Sequence, residues 1–158
     1  MKTFNYTLNQ KPIESMIDFS IFKNEKNLLI QIFCGEKKDI LEYILNVIAK
    51  ELPQAVCIGS STDGEINNSE ITTLNTVITI SVFRETTLKI VSVDEIDSFS
   101  NGVKLASLLC SEDTKLLITF TDGAKTNGEE FLNGVSSIND KMLVCGGMAG
   151  DNADFMQT

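Results

Sequence analysis

The sequence predicts an α/β fold: a mixed, largely parallel sheet flanked by helices, built from an internal duplication of a β-α-β-α-β(-β) unit whose second copy is truncated. Three observations lead to this prediction. Uniformly apolar runs indicate buried strands, and segments with apolar residues at helical spacing separate them. Residues 28–63 also align without a gap with residues 116–151 and share 11 identities. A constant offset of 88 positions favours a duplicated unit over unrelated strands of similar composition.

The first third of the chain is expected to supply the sheet centre. Thr3–Leu8 is predicted to be a strand and Ile13–Phe22 a short helix. Leu28–Cys34 is too uniformly apolar for a half-exposed strand, so we expect it to be central and covered on both faces. Asp39 is suited to cap the helix that follows, which ends at Pro53.

The middle of the chain combines a loop with further strands. A short strand at residues 55–58 should run parallel to Leu28–Cys34 and lead into a loop, Gly59–Glu65. After a polar segment, polar and apolar residues alternate in Asn75–Phe83, which predicts a strand with one wet face. Leu88–Val93 is expected to pair antiparallel with it.

The last third repeats the β-α-β pattern. Ser98 should cap a helix that ends at Cys110, and Lys115–Thr121 should form the second central strand. A helix starting near Asn127 and a strand at Met142–Cys145 complete the pattern.

The predicted repeat divides the chain at residue 88. Residues 1–87 form the first unit and residues 88–158 the second, incomplete one, and together they make one domain. The alternating strand of the second unit should fall beyond Thr158, so the chain is expected to be truncated. Because an unpaired sheet edge tends to pair with another chain, we expect a dimer through this edge.

Composition excludes several classes of function. A net charge of −9, with Arg84 as the single arginine, argues against nucleic acid and anionic membranes as partners. No apolar run reaches the ~18 residues of a membrane span, and no signal peptide is recognisable, so we expect a cytoplasmic location. The absence of histidine excludes Ser-His-Asp and Cys-His catalysis. No cofactor is expected.

The four cysteines lack Cys-x-x-Cys spacing, which indicates free thiols in a reducing compartment. Cys34, Cys57 and Cys145 lie in apolar strand patterns, where a free thiol packs as a small hydrophobe.

Three motifs in fixed order carry a family resemblance. They are Gly59-Ser60-Ser61-x-x-Gly64-Glu65-Ile66, Phe120-x-Asp122-Gly123 followed by Asn127-Gly128-Glu129, and Gly146-Gly147-x-Ala149-x-Asp151. From about Leu28 to its end, the chain resembles the amino-terminal part of the FIST domain. The resemblance implies an intracellular sensory domain of bacterial signal-transduction proteins, related to a part of certain F-box proteins. It implies that the domain binds a small ligand such as an amino acid and relays to an output domain, with no catalytic residues.

The candidate ligand-binding residues follow the predicted strands. Glycine-rich and serine-rich turns offer N–H groups to a carboxylate, and acidic side chains can accept an ammonium group. The alternative for each aspartate is that it satisfies loop N–H groups or caps a helix. The candidates are Gly59, Ser60, Ser61, Asp63, Glu65, Asp122, Gly123, Gly146, Gly147 and Asp151.

Two other functions stay open at this stage. One is an enzyme that uses a carboxylate, a Cys or Ser nucleophile with Lys37 or Lys125 as base, or magnesium held by Asp63, Asp122 and Asp151. The other is an interaction domain that binds no metabolite.

Overall fold

The computed structural model describes residues 1–67 and 69–150; Asn68 and residues 151–158 lie outside the described part. The mixed α/β class is confirmed: the described residues show mixed strand pairing and four α-helices. The chain forms two compact units, residues 1–88 with Gly150 and residues 89–149, each described by itself below. The division into repeats stays a prediction.

The described residues of the first unit form six strands, two α-helices and one short 3-10 helix. The strands are β1 (Lys2–Thr7), β2 (Asn27–Cys34), β3 (Val56–Ser61), β4 (Glu65–Asn67), β5 (Glu70–Thr72) and β6 (Thr76–Phe83). The helices are α1 (Ile13–Met16), the 3-10 helix (Phe19–Ile21) and α2 (Lys38–Glu51).

Strand β2 lies inside the four-stranded sheet of this unit, as its apolar run predicts. The strand order is β1-β6-β2-β3. β2 pairs parallel with β3, Leu29 opposite Val56, and antiparallel with β6. β1 also pairs antiparallel with β6, so the sheet holds more antiparallel pairing than expected. Ile30 and Ile32 are fully buried in one core with Ile44 and Ile48 of α2.

The predicted wet face of β6 is wrong. Thr76 and Ser81 lie on opposite faces of β6 and both are buried, and both hydroxyls have partners. The Ser81 hydroxyl lies 3.3 Å from Thr3 Oγ1, and Thr76 contacts Glu36. At these two positions, a polar residue in the strand pattern therefore indicates a buried hydroxyl with a hydrogen-bond partner, not a side chain in water.

Two local predictions for helices of this unit are wrong. The single helix expected over Ile13–Phe22 breaks at Ile17, because the Asp18 side chain accepts from Ser20 N (3.0 Å) and starts a separate 3-10 turn. Asp39 lies in the first turn of α2; Lys37 occupies the cap position and makes no side-chain cap hydrogen bond.

The second unit contains α3 (Ser98–Leu109), β7 (Leu117–Thr121), α4 (Gly128–Ile138) and β8 (Val144–Met148). Asp97, not Ser98, caps α3, because its carboxylate accepts from Ser100 N at 2.7 Å. β7 and β8 pair in parallel. The core of this unit contains Leu117 of β7 together with Phe131 and Val135 of α4.

Helices α3 and α4 approach closely through two glycines. A Cβ at Gly102 would lie 2.1 Å from Phe131 O, and one at Gly134 would lie 2.2 Å from Phe99 O. Only hydrogen atoms fit at these two positions, so the glycines set the separation of the two helices.

The predicted strand Leu88–Val93 is wrong: the segment forms no regular secondary structure. Both neighbours of β6 are already in place, because β1 and β2 flank it, so β6 offers no edge to a further strand.

The two parallel ladders have equivalent registers. Leu29 lies opposite Val56 in the first unit, and Leu117 lies opposite Val144 in the second, 88 positions later. This agreement fits the proposed duplication, which itself stays a prediction, as does the dimer through a sheet edge.

No helix within the described ranges is long and apolar enough to cross a membrane.

Candidate functional site

The candidate site of the first unit lies where β2 and β3 end side by side. Because the two strands are parallel, their carboxyl ends open at the same edge of the sheet. Gly35 and Glu36 follow β2, and Thr62, Asp63 and Gly64 follow β3. Thr62 N donates to Cys34 O at 3.1 Å and thereby joins the two loops.

The Gly-Ser-Ser motif belongs to strand β3, which corrects the predicted loop at residues 59–61. Gly59 pairs with Ile32, and Ser61 with Cys34. A Cβ at Gly59 would lie 2.2 Å from Ile32 O, so the glycine serves close strand packing. Ser60 Oγ donates to Ser61 O at 2.7 Å. Ser61 Oγ is enclosed and has no hydrogen-bond partner among the described residues.

Glu65 is the most enclosed acidic side chain described, with 1% of its surface exposed. Thr62 Oγ1 donates to Oε1 at 2.6 Å, and Thr72 Oγ1 lies 3.4 Å from Oε2. A Cβ at Gly35 would lie 2.2 Å from Oε1. The carboxylate thus ties the loop after β3 to strand β5 beneath the loop after β2.

A second polar cluster adjoins the end of β2. The Thr76 hydroxyl lies 2.6 Å from Glu36 Oε2 and 3.3 Å from Cys34 Sγ. Its single proton goes to the carboxylate, the shorter and charge-assisted contact. Burial, aided by the charges of Glu36 and Glu65, raises the pKa of the Cys34 thiol.

Asp63 lies beside Gly150, which belongs to the same unit. Gly150 N donates to Ser61 O at 2.9 Å, and a Cβ at Gly150 would lie 2.8 Å from the Asp63 carboxyl carbon. Asp63, in the loop after β3, therefore lies against the chain at Gly150. Asp151, the next candidate, lies outside the described residues.

In the second unit, the Asp122 side chain satisfies N–H groups of its own loop, which is the predicted alternative to ligand binding. Its Oδ1 accepts from Ala124 N (2.8 Å) and Lys125 N (3.1 Å), and its Oδ2 lies 3.4 Å from Lys125 Nζ. A Cβ at Gly123 would lie 2.0 Å from Ala149 O, so Gly123 permits close approach of the chain after β8.

Gly146 and Gly147 are also strand residues, in β8. Gly146 has φ +145°, and a Cβ there would lie 1.8 Å from Thr119 O, so both conformation and space require glycine. Gly147 has open space where a Cβ would be. Both glycines are exposed, so both can be approached from solvent.

The cysteines differ more than predicted. Cys34 is buried, and burial raises the pKa of Cys57 to about 11. Cys145 is exposed, which contradicts its predicted packing role, because neighbouring strand residues face opposite sides and Val144 takes the side that packs against the core. Among the described residues, no group of three metal-binding side chains converges.

Sequence reasoning missed the residues that hold the site together. Thr62, Thr72 and Thr76 supply hydroxyls to Glu65 and Glu36, and Gly35 makes room for the Glu65 carboxylate. The available signal was local: Glu65-Ile66-Asn67 and Glu70-Ile71-Thr72 alternate around a short turn, which predicts a hairpin.

Comparison with known proteins gives one match. The family model of the FIST N domain matches residues 28–158, and no curated protein or solved structure matches the chain. The matched range begins in β2 and includes both parallel strand pairs with the loops that follow them. The chain therefore belongs to the FIST N domain family, whose members are sensory domains of signal-transduction proteins.

Proposed function

We propose that this domain binds a small metabolite of the amino-acid class at the carboxyl ends of β2 and β3 and relays its occupancy to an output domain. The observation that supports this most directly is the meeting of two polar loops, Gly35–Glu36 and Thr62–Gly64, beside adjacent parallel strands. Ligands of open α/β sheets bind at such ends.

The chemistry of the loops suits a zwitterion. The Asp63 carboxylate can accept an ammonium group, and the N–H groups of a loop that contains glycine can donate to a carboxylate. The net charge of −9 disfavours ligands with several negative charges, such as nucleotides. Asp122, Gly123 and Gly147 offer the same groups in the second unit.

Glu65 acts as a positioning residue in this proposal. It is enclosed, and its contacts with Thr62 and Thr72 join the loop beside Asp63 to the β4-β5 hairpin. A ligand that moves this loop also changes the hydrogen bonds that hold the hairpin. Ligand binding can therefore alter the position of the hairpin at the surface.

Binding without catalysis is the proposed activity. Burial raises the pKa of Cys34, Cys57 and Cys110, so these thiols stay protonated at neutral pH and are poor nucleophiles. Lys125, a candidate base, is 85% exposed at its side chain and pairs with Asp122.

A thermal-shift screen of amino acids, organic acids, nucleotides and divalent metals tests the proposal. A ligand at 100 times its dissociation constant stabilises a protein by about 2.7 kcal/mol, which raises the melting temperature by several degrees. We expect an amino acid to do so, and Asp63→Asn to abolish the shift. Asp113→Asn, the same change at an exposed carboxylate of the second unit, is the control. Failure of every amino acid to shift melting contradicts the proposal.

A further inference from the structure

Asn75 and Thr76, where β6 begins, hold the chain that follows β1. Leu8 N donates to Thr76 O at 2.9 Å. Asn9 N donates to Asn75 Oδ1 at 2.9 Å, and Asn75 Nδ2 donates to Asn9 Oδ1 at 3.0 Å. Asn75 is 7% exposed and Thr76 is fully buried, so their polar groups depend on these protein partners rather than on water.

The same two residues hold the loop after β2 on the other side of β6. Gly35 N donates to Asn75 O at 2.8 Å, and the Thr76 hydroxyl donates to Glu36 Oε2 at 2.6 Å. β6 lies between β1 and β2 in the sheet, so its beginning reaches both neighbours. Asn75 therefore connects the chain after β1 with Gly35–Glu36, one of the two loops of the proposed ligand site.

The connection at Asn75 depends on a side-chain amide. Asn75 Oδ1 accepts from Asn9 N and also from Thr76 N at 2.8 Å, while Asn75 Nδ2 donates to Asn9. A carboxylate of the same shape could accept the first two hydrogen bonds but could not donate the third. Strand pairing between β1 and β6 uses backbone groups that every residue except proline has, so pairing alone does not require an asparagine here.

The turn after β1 has a conformation that needs support from outside the turn. Lys11 N donates to Leu8 O at 3.0 Å, and the two residues between them, Asn9 and Gln10, have φ of +51° and +59°. Residues other than glycine rarely adopt this left-handed conformation, although asparagine does so more readily than most, and it persists where the surroundings impose it. The two hydrogen bonds between Asn9 and Asn75 supply that constraint.

This turn lies outside the range that the family model matches. The match begins at residue 28, whereas Leu8, Ile13 and Phe22 are buried in the core of the first unit. Residues 1–27 are therefore an integral part of this unit. Asn75 joins this additional segment to a loop within the matched range.

We propose that Asn75 is a positioning residue for the ligand site: through it, the turn Leu8–Lys11 fixes the loop Gly35–Glu36 in the conformation that receives the ligand. While the turn is held, Asn75 presents its carbonyl oxygen to Gly35 N. When the turn opens, Asn75 loses its hydrogen bonds with Asn9, and the loop loses its support. A change in the turn therefore lowers ligand affinity without touching the ligand. This role rests on the proposed function, but the support of the loop is measured without any ligand.

Amide hydrogen exchange of the full chain, followed by nuclear magnetic resonance, measures the support of the loop. Asn75 is buried and its loss would also disturb β6, so the substitution is made at its exposed partner. Asn9→Gly removes the side-chain acceptor and leaves the positive φ without strain. We expect the Gly35 amide to exchange about fivefold faster or more, as for the loss of one hydrogen bond, relative to the amide of buried Ile30 in β2.

Two further variants separate loss of support from loss of stability. Asn9→Asp keeps an acceptor for Asn75 Nδ2 and should restore the slow exchange of Gly35. Asn5→Gly also removes a hydrogen bond between β1 and β6, since Asn5 Oδ1 accepts from Thr79 Oγ1 at 2.9 Å, and should leave the exchange of Gly35 unchanged. Unchanged exchange in Asn9→Gly, equally fast exchange in Asn5→Gly or no restoration by Asn9→Asp overturns the proposal.

Ligand affinity tests the consequence for binding. The probe is the amino acid that most raises the melting temperature. Asn9→Gly should weaken its binding about threefold or more, and Asn9→Asp should bind it as tightly as the original protein. An affinity that Asn9→Gly leaves unchanged overturns the proposal. Failure of every amino acid to bind contradicts the proposed function instead, and the exchange of Gly35 then decides whether Asn75 supports the loop.

Discussion

Gly35 lies directly against the buried carboxylate of Glu65: a Cβ on the glycine would stand 2.2 Å from Oε1 and 3.3 Å from Leu74 N. The glycine after β2 thus creates the space in which a charged side chain closes the loop after β3. The conformation of the loop after β3 therefore depends on a glycine at position 35.

Gly35→Ala tests this contact. The added methyl group must displace the carboxylate or the backbone at Leu74, so we expect a loss of about 1–3 kcal/mol in unfolding free energy. Urea denaturation measures it. Gly64→Ala is the matched control, because its Cβ would meet Thr72 O at an ordinary 3.4 Å. Equal stability of the two variants contradicts the packing described.

The two threonine hydroxyls that contact Glu65 should contribute different amounts to the free energy of unfolding. Thr62 donates at 2.6 Å to a buried carboxylate, so Thr62→Val should cost about 1.5–3 kcal/mol, as for hydrogen bonds to charged groups. Thr72 lies at 3.4 Å, and Thr72→Val should cost less. Equilibrium unfolding of both variants gives the order, and a reversed order argues against the carboxylate as the anchor.

The glycine pair between α3 and α4 should be intolerant of any side chain. Gly102→Ala and Gly134→Ala each place a methyl group about 2 Å from a backbone oxygen, so each should lower unfolding free energy by about 2–3 kcal/mol. Gly128→Ala, whose Cβ would have only Met148 Sδ nearby at 3.7 Å, should be neutral or slightly stabilising. Circular dichroism during denaturation reports all three.

Thiol reactivity should follow burial. Cys145 is exposed and should react first with a thiol reagent in the native protein, whereas Cys34 and Cys57 should react only after unfolding. Mass spectrometry of labelled peptides identifies the order. Rapid native labelling of Cys34 would show that the end of β2 is open.

Burial of Cys57 also predicts a pH dependence. Its pKa rises from 9.0 to about 11 in the folded state, because burial disfavours the thiolate. Above pH 9 the unfolded chain loses this proton first, so the Cys57 contribution to stability should fall as pH rises from 9 to about 11. Cys57→Ala should remove this part of the decline, measured as the difference between the two proteins in urea midpoint. Parallel curves contradict it.

The sheet centre could be predicted because long-range pairing and local pattern agree there. Leu28–Cys34 is apolar at every position but Gln31, and the helix and strand after it occupy the predicted places. The strand predicted at Leu88–Val93 failed because alternation shows that a segment can pair, but not whether a partner edge is available.

The candidate site was less predictable from sequence. The glycines at positions 59 and 146 were expected in loops, yet both lie in strands, where close backbone approach requires them. The hairpin at residues 65–72 escaped prediction because its inward residue is a glutamate, stabilised by threonines that only the folded chain brings to it.

The most direct test of the central claim is a titration of the protein, followed by its amide chemical shifts, with the amino acid that most raises its melting temperature. We predict one binding event, weakened at least tenfold by Asp63→Asn, with amide shifts confined to Gly35–Glu36 and Thr62–Gly64. An affinity unchanged by Asp63→Asn, or shifts confined to the second unit, would contradict a site at the carboxyl ends of β2 and β3.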